Sequence, residues 1–180
     1  MPSGDLALDR KNWAADLTTR AGVQIHVRPA AGNDLAALAT FFRTVSIEDL
    51  RHRFSDHTER AGDAELAAMV AGRDPSSVTF LAFDREQILI ACATLSDTPQ
   101  GDSADVSLSV GRNTKGQGVS WTLLEHVLAY AGSHGLKSVT SLERGDDRAA
   151  INLEREMGFV ARLSSANPVE VSLSKVVDGN

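Results

Sequence analysis

Residues 104–124 read ADVSLSVGRNTKGQGVSWTLL, and this stretch decides the fold. Residues 105–110 alternate polar and apolar side chains, which predicts a strand. The loop KGQGVS, residues 115–120, then leads into an amphipathic helix predicted to end near Ser133. A glycine-bearing loop at a helix N-terminus turns backbone N–H groups toward an anion at the positive end of the helix dipole. The stretch therefore predicts a phosphate site suited to a pyrophosphate-bearing cofactor.

The rest of the chain supplies the strands and helices around this unit. Helices are predicted after Asn33 or Asp34 and after Ser46, and over 63–70 and 147–157, the last with Ala150, Leu153 and Met157 facing inward. Further strands are predicted at 23–28, 77–83, 87–95, 136–142, 159–163 and 170–176. This order predicts an α+β fold: a central twisted mixed sheet of about seven strands flanked by helices. Residues 1–20 predict a mobile arm or short helix, before a single domain over 21–177.

Composition narrows the classes of partner. The chain has 180 residues, a net charge of -6 and 42% hydrophobic residues, as expected for a folded globular domain. The acidic balance argues against nucleic acid as a partner. No segment approaches the ~18 apolar residues of a membrane span, and the N-terminus has no apolar signal core, so we expect a cytoplasmic protein. The single cysteine, Cys92, lies in an apolar run and predicts a buried, inert thiol.

The loop does not match the two commonest phosphate motifs. A Walker loop needs G-x-x-x-x-G-K-[ST], but here Lys115 precedes the glycines, and a dinucleotide fingerprint needs a third glycine. The histidines show no metal-ligand spacing, so no metal is expected. What remains is a short anion loop at one helix N-terminus, or an ordinary strand-to-helix turn that uses glycines for tightness.

The order of motifs resembles the GCN5-related N-acetyltransferase (GNAT) superfamily. That family carries [QR]-x-x-G-x-[GA] around the coenzyme A pyrophosphate, which stands here as Lys115-Gly116-Gln117-Gly118-Val119-Ser120. Its N-x-A…G-F block is similar to Asp147 through Phe159, and its first strand and helix cap to residues 25–34. A narrower likeness, in FFR and SIEDLRHRF of residues 41–54 and in ADV of 104–106, is to the GNAT domains of bacterial protein-lysine acetyltransferases of the Pat type.

The resemblance implies an acetyl-CoA-dependent N-acetyltransferase without a metal. Lys115 stands where the family has Gln or Arg, Ser120 where it has Gly or Ala, and Asp147 where it has Asn, which could weaken or retune cofactor binding. The resemblance places the thioester carbonyl on backbone amides near a strand bulge, around Leu108 to Val110. The cofactor-binding residues expected are Leu108, Val110, Lys115, Gly116, Gln117, Gly118, Val119, Ser120 and Asp147.

A base is needed because an amine acceptor is almost fully protonated at neutral pH. Asp105 is the first candidate base: it shares one strand face with Ser107 and Ser109. It also matches the Pat-type glutamate, although its side chain is one methylene shorter. The alternative to a catalytic role is a solvated carboxylate at a strand end. Glu143 is the second candidate base. Many family members use a tyrosine as general acid at a position where this chain has Glu154. Tyr130 lies in another predicted helix and is expected to be a packing residue. No side chain is therefore assigned as the general acid. The leaving thiolate, with a pKa of ~8.5 as the free thiol, can be protonated by water.

Three functions stay open at this point. The acceptor is a primary amine: either a protein lysine or a small amine such as an amino acid, polyamine or drug. The third alternative is an acyl-CoA-binding sensor without turnover, which the substitutions at 115, 120 and 147 would permit. The acceptor groove is expected in residues 46–76 and 164–170, and either a monomer or a homodimer is compatible with the sequence.

Overall fold

One mixed β-sheet organises the molecule. A computed structural model describes residues 13–54, 60–70, 75–163 and 169–177, and within them eight strands lie in the order β1-β2-β3-β4-β5-β6-β8-β7. Neighbouring strands pair antiparallel, except for the parallel pair β5 and β6. In chain order the strands are β1 (Ala15–Thr18), β2 (Gln24–Pro29), β3 (Ser77–Phe83), β4 (Leu89–Asp97), β5 (Ser103–Val110), β6 (Ser138–Arg144), β7 (Val160–Leu163) and β8 (Glu170–Val176).

Five α-helices in the described ranges flank the sheet: α1 (Leu35–Phe42), α2 (Ile47–Arg53), α3 (Asp63–Ala68), α4 (Val119–Ser133) and α5 (Arg148–Glu156). Ser46 caps α2 as predicted, because its hydroxyl accepts a hydrogen bond from the Asp49 N–H at 3.2 Å. The helix α4 crosses between the two parallel strands. Gly118 begins this helix in the left-handed region, at φ 78°, which glycine adopts without steric cost.

Each face of the sheet buries its own core. On one face, Leu81 and Cys92 pack with Leu38, Phe42 and other residues of α1 to α3. On the opposite face, Phe80, Ala93 and Val106 pack with α4 and with part of α5, and Tyr130 lies fully buried at its centre. Tyr130 is therefore a packing residue, as the sequence predicts. Burial raises the pKa of the Cys92 thiol to about 11, so this cysteine is unreactive in the folded state.

The predicted α+β class with a mixed sheet is confirmed, with two differences. The described sheet has eight strands instead of about seven, because Ala15–Thr18 pairs with β2 inside the segment that predicts a mobile arm or helix. Residues 1–12 of that arm lie outside the described residues, as do 55–59, 71–74 and 164–168 of the expected acceptor groove. In α5, Leu153 and Met157 pack against the core as predicted and Ala150 is partly buried, but the buried residue of the helix is Glu154, which the sequence did not predict.

Candidate active site

A slot opens in the sheet between β5 and β6. The two strands pair from Ser103↔Ser138 to Val106↔Ser141, and then both continue, to Val110 and Arg144, without further pairing between them. The diverging ends border a cavity of about 730 Å³. Two strand edges that separate inside a sheet leave backbone groups available to a ligand. The sheet itself therefore provides a binding slot.

The backbone of β5 turns hydrogen-bonding groups into this slot. Gly111 N donates to Ile90 O at 2.9 Å, and the β4–β5 register is unbroken from Ala91↔Val110 onward. In an antiparallel pair, alternate residues point their N–H and C=O groups away from the partner strand. Leu108 and Val110 are those alternate residues, so their N–H groups point away from β4, toward the slot. The bulge expected here is absent from the β4–β5 pairing; a register shift occurs instead between Ala82 and Phe83, in the β3–β4 pairing.

Asp105 borders the cavity from the α1–α3 face of the sheet. Ser109 pairs with Cys92 of the core on that face, and strand alternation places Asp105 and Ser107 on the same side. Asp105 and Ser107 are exposed, whereas Ser109 is buried. The predicted polar face of the strand is thus present and opens to the cavity.

The glycine loop closes one end of the cavity. Lys115, Gly116 and Ser120 line it, and Gly116 has a φ of +80° with nothing within 4 Å of an added Cβ. The first backbone hydrogen bond of α4 runs from Thr122 N to Gly118 O, so the N–H groups of residues 119–121 have no partner inside the helix. Open space above a left-handed glycine, beside free N–H groups, fits a pyrophosphate group.

Lys115 of the loop is tied to α2. Its Nζ donates to Asp49 Oδ2 at 2.7 Å, and Arg144 at the end of β6 reaches Asp49 Oδ1 at 3.4 Å. Burial alone would raise the pKa of Asp49, but hydrogen bonds from Lys115 and Ser46, together with the positive charges of Lys115 and Arg144, hold that pKa below its usual range. Asp49 is therefore an ionised carboxylate between two cations, and it joins α2, the loop and β6.

The opposite face of the slot carries a second acidic group. Ser141 of β6 pairs with Val106, which belongs to the α4 core, so Ser141 lies on the face away from Asp105. Its Oγ lies 3.0 Å from Glu143 Oε1 and 2.8 Å from Glu154 Oε1. Glu154 is only 4% exposed, and all three residues line the cavity. Burial raises the pKa of Glu154 to about 8, with the charge of Glu143 acting in the same direction.

Seven of the ten predicted site residues line this single cavity: Asp105, Leu108, Val110, Lys115, Gly116, Ser120 and Asp147. Gln117, Gly118 and Val119 do not; the Gln117 side chain donates to Asn113 O, and Val119 is buried in the core. The Asp147 carboxylate caps α5 by accepting from Ala150 N at 3.1 Å. Glu143, the second candidate base, also lines the cavity.

Residues 46–76 were expected at the acceptor groove, but the sequence singled out no individual residue among them. Asp49, His52 and Arg53 of α2 border the cavity opposite β5 and β6. His52 Nε2 donates to Leu142 O at 2.7 Å, and Arg53 donates to Thr94 Oγ1 at 2.6 Å. The sequence predicts the capped helix that carries these three residues, but it does not show which strand that helix faces. Among the described residues, no helix is long and apolar enough to span a membrane, and no cluster of His, Cys, Asp and Glu could hold a metal ion.

This chain is similar to known acetyltransferases in sequence pattern and in fold. The model of the acetyltransferase (GNAT) family matches residues 40–159. The GNAT domain of Streptomyces lividans PAT superposes with a TM-score of 0.82 at 24% identity, over 92% of this chain and 97% of that one. The ribosomal-protein-S18-alanine N-acetyltransferase of Escherichia coli gives 0.66 at 16% identity, over 86% and 94% of the two chains. A chimera built from the Vibrio cholerae spermidine N-acetyltransferase SpeG gives a TM-score of 0.67 at 16% identity, over 84% of this chain and 97% of that one.

Proposed function

Because the chain belongs to the GNAT acetyltransferase family and is an acetyl-CoA-dependent N-acetyltransferase, we propose that it acetylates a protein lysine by direct attack of the amine on the thioester. One observation carries the proposal: a single cavity runs from the glycine loop, past the slot-facing backbone of β5, to the carboxylate of Asp105. These are the three parts that such a transfer requires: a phosphate cradle, donors for the carbonyl oxygen and a proton acceptor.

The cofactor is held by the loop and by β5. The N–H groups at the start of α4 bind the pyrophosphate, with Gly116 leaving room for it and Lys115 and Ser120 beside it. Lys115 supplies positive charge in place of the family's Gln or Arg, and Asp49 holds its ammonium group in position at 2.7 Å. The N–H groups of Leu108 and Val110 bind the pantetheine arm and the carbonyl oxygen. Asp147 closes the other wall while capping α5.

Asp105 prepares the amine. Lysine enters the cavity as an ammonium ion, since its ordinary pKa is ~10.4, and a carboxylate at an exposed entrance attracts it. Asp105 accepts the ammonium proton through a water molecule, because its side chain is one methylene shorter than glutamate. The neutral amine then attacks the carbonyl carbon, and the β5 N–H groups stabilise the charge that develops on the carbonyl oxygen. Glu143 is the alternative base, although it lies on the other face of the sheet.

Two features favour a lysine side chain as acceptor over a small amine. The likeness to the PAT domain covers nearly the whole of both chains, whereas the spermidine enzyme gives a lower TM-score. Asp105 and Ser107 are exposed, which suits a substrate that remains part of a large partner. Small amines are the second candidate, because the carboxyl groups of Asp105 and Glu143 around one cavity attract any cationic amine. The third candidate function is an acyl-CoA-binding sensor without turnover.

One pair of measurements tests the proposal. Saturating acetyl-CoA should raise the melting temperature, because a ligand that binds the folded state stabilises it. Release of free coenzyme A is then followed with lysine-containing peptides, free amino acids and spermidine as acceptors. Faster release with peptides than with small amines supports the proposal. Faster release with a small amine favours the second candidate, binding without release on any acceptor favours the sensor, and no thermal shift removes the cofactor assignment.

A further inference from the structure

The wall of the slot opposite Asp105 contains a buried carboxyl pair that no step above requires. Glu154 of α5 is 4% exposed, yet it lines the cavity together with Glu143 of β6. Glu154 Oε2 is buried and accepts no hydrogen bond from a described donor, while the carboxyl group shares a hydrogen bond with that of Glu143. A buried carboxylate oxygen without a donor is costly, and the cost is lowered when the group carries a proton that it can donate to a neighbouring acceptor.

The arrangement around Ser141 favours one proton on this pair. The Ser141 hydroxyl has a single proton, but it lies within hydrogen-bonding distance of Glu143 Oε1 and of Glu154 Oε1, at 3.0 and 2.8 Å. It can donate to only one of the two carboxyls at a time. Two carboxylates brought this close around one hydroxyl repel each other when both are ionised.

The other charged groups near the pair leave the proton on Glu154. Asp147, at the start of α5, raises the pKa of both carboxyl groups, whereas His52 of α2 lowers that of Glu143. The cationic residue of β8, Lys175, places its Nζ beside Gly158 at the end of α5. Burial is the largest influence on Glu154 and raises its pKa to about 8, so the group is protonated at neutral pH.

We propose that Glu154 is the general acid of the transfer, holding its proton in a pair with Glu143 and Ser141 on the face of the slot opposite Asp105. This inference rests on the proposed acetyl transfer. The amine forms its C–N bond on the Asp105 face, and its nitrogen then gives a second proton to water. The C–S bond breaks as the tetrahedral carbon collapses. Glu154 gives its proton to the departing thiolate, which leaves as the thiol of coenzyme A. The Glu154 carboxylate is reprotonated from solvent, and the ammonium proton taken by Asp105 is the one released overall.

The first test reads the proton itself, without turnover. In protein labelled with ¹³C at the glutamate side-chain carboxyls, one resonance of the wild type should titrate near the pKa of about 8 of Glu154. It should be absent in Glu154→Gln and should titrate lower in Glu143→Gln, where the neighbouring charge is gone. Glu156→Gln, an exposed position on the same helix, should leave it unchanged. If the Glu154 resonance titrates at the ordinary value of ~4.3, the proposal is overturned.

The second test reads catalysis, with coenzyme A release measured on a lysine peptide or on spermidine, whichever is acetylated. The wild-type kcat should fall above pH ~8, where the acid is deprotonated, and Glu154→Gln should lower kcat about 10²-fold and lose this fall. Glu154→Asp keeps an acid and should restore part of the rate. An unchanged fall in Glu154→Gln overturns the acid role alone. If neither amine is acetylated by the wild type, the proposed function fails and the acid role with it, while the titration still reports the proton pair.

Discussion

Asp105 and Glu154 border one cavity from opposite faces of the same sheet. Asp105 lies on the face of α1 to α3, and Glu154 reaches the cavity from α5 through Ser141, on the face of α4. The slot between β5 and β6 is the opening that connects the two faces. A proton acceptor and a proton donor are therefore separated by the strands that would hold the thioester, which keeps the two carboxyl groups from exchanging their proton directly.

Asp105→Asn should abolish most acetyl transfer while leaving the fold intact. The amide cannot accept a proton, and loss of a general base typically costs 10²-fold or more in rate, as an order of magnitude. The side chain is exposed, so the melting temperature should stay the same. Coenzyme A release with a lysine peptide measures the effect. Asp102→Asn is the matched control, since Asp102 pairs with Lys137 at 3.0 Å outside the cavity lining; wild-type rates in Asp105→Asn would remove the base assignment.

Gly116→Ala and Gly135→Ala form a matched pair for the phosphate loop. Both glycines have nearly the same left-handed backbone, at φ +80° and +77°, with nothing within 4 Å of an added Cβ. Each substitution should therefore cost a similar stability, about 1–2 kcal/mol. Only Gly116 lines the cavity, so only Gly116→Ala should reduce the rise in melting temperature that acetyl-CoA produces. An equal thermal shift in both variants would contradict the placement of the pyrophosphate.

Asp34→Asn should destabilise the first helical segment in a pH-dependent way. Arg28 donates to both carboxylate oxygens, at 2.8 and 2.9 Å, and this hydrogen bonding holds the pKa of Asp34 below its ordinary value. A lowered pKa gives stability that is present above the unfolded value of ~3.9 and is lost as the pH falls through the folded value. At neutral pH we expect a loss of about 2–3 kcal/mol, less than for a fully buried pair because the Arg28 side chain is 31% exposed.

Urea unfolding at several pH values checks this expectation for Asp34. The difference between wild type and Asp34→Asn should shrink as the solution is acidified. Asp16→Asn is the control, because its carboxylate pairs with His26 at 2.7 Å but is 91% exposed, and it should change little. If the difference in the free energy of unfolding between wild type and Asp34→Asn does not vary with pH, the contact is stabilised by packing and neutral hydrogen bonding and not by charge.

Glu154 should make the free energy of unfolding fall as the pH rises, which is opposite to the effect of Asp34. Burial raises the folded pKa to about 8, above the unfolded value of ~4.3, so its contribution is complete below the unfolded value and is lost as the pH rises through the folded one. Glu154→Gln should make the free energy of unfolding vary less with pH between those two pKa values. At alkaline pH the variant should be more stable than the wild type by a few kcal/mol, since one pKa unit is worth about 1.36 kcal/mol. Chemical unfolding measures this; parallel curves for wild type and variant would contradict the raised pKa.

Local patterns predicted the elements of this fold well, and contacts between distant segments poorly. The Ser46 cap, the strand Ser77–Phe83 and the turn before α4 follow from neighbouring residues alone. The four-residue strand Ala15–Thr18 was missed because its pairing with β2 gives it most of its order. The inward position of Leu153 was predicted from helical periodicity, but the burial of the neighbouring Glu154 was not, because it depends on the contact with Ser141 of β6. The link from Asp49 to Lys115 joins residues 66 positions apart, which no local pattern reveals.

The parallel junction between β5 and β6 also divides the sheet into two antiparallel halves. Strands β1 to β5 form one half and β6 to β8 the other, and within the sheet they meet through Ser103–Val106 and Ser138–Ser141. A molecule lying in the slot touches both halves and resists their separation. Amide hydrogen exchange should therefore slow along β6 when acetyl-CoA is bound, and not only at the glycine loop. Bound acetyl-CoA would therefore link the two halves of the sheet at a junction of only four residue pairs.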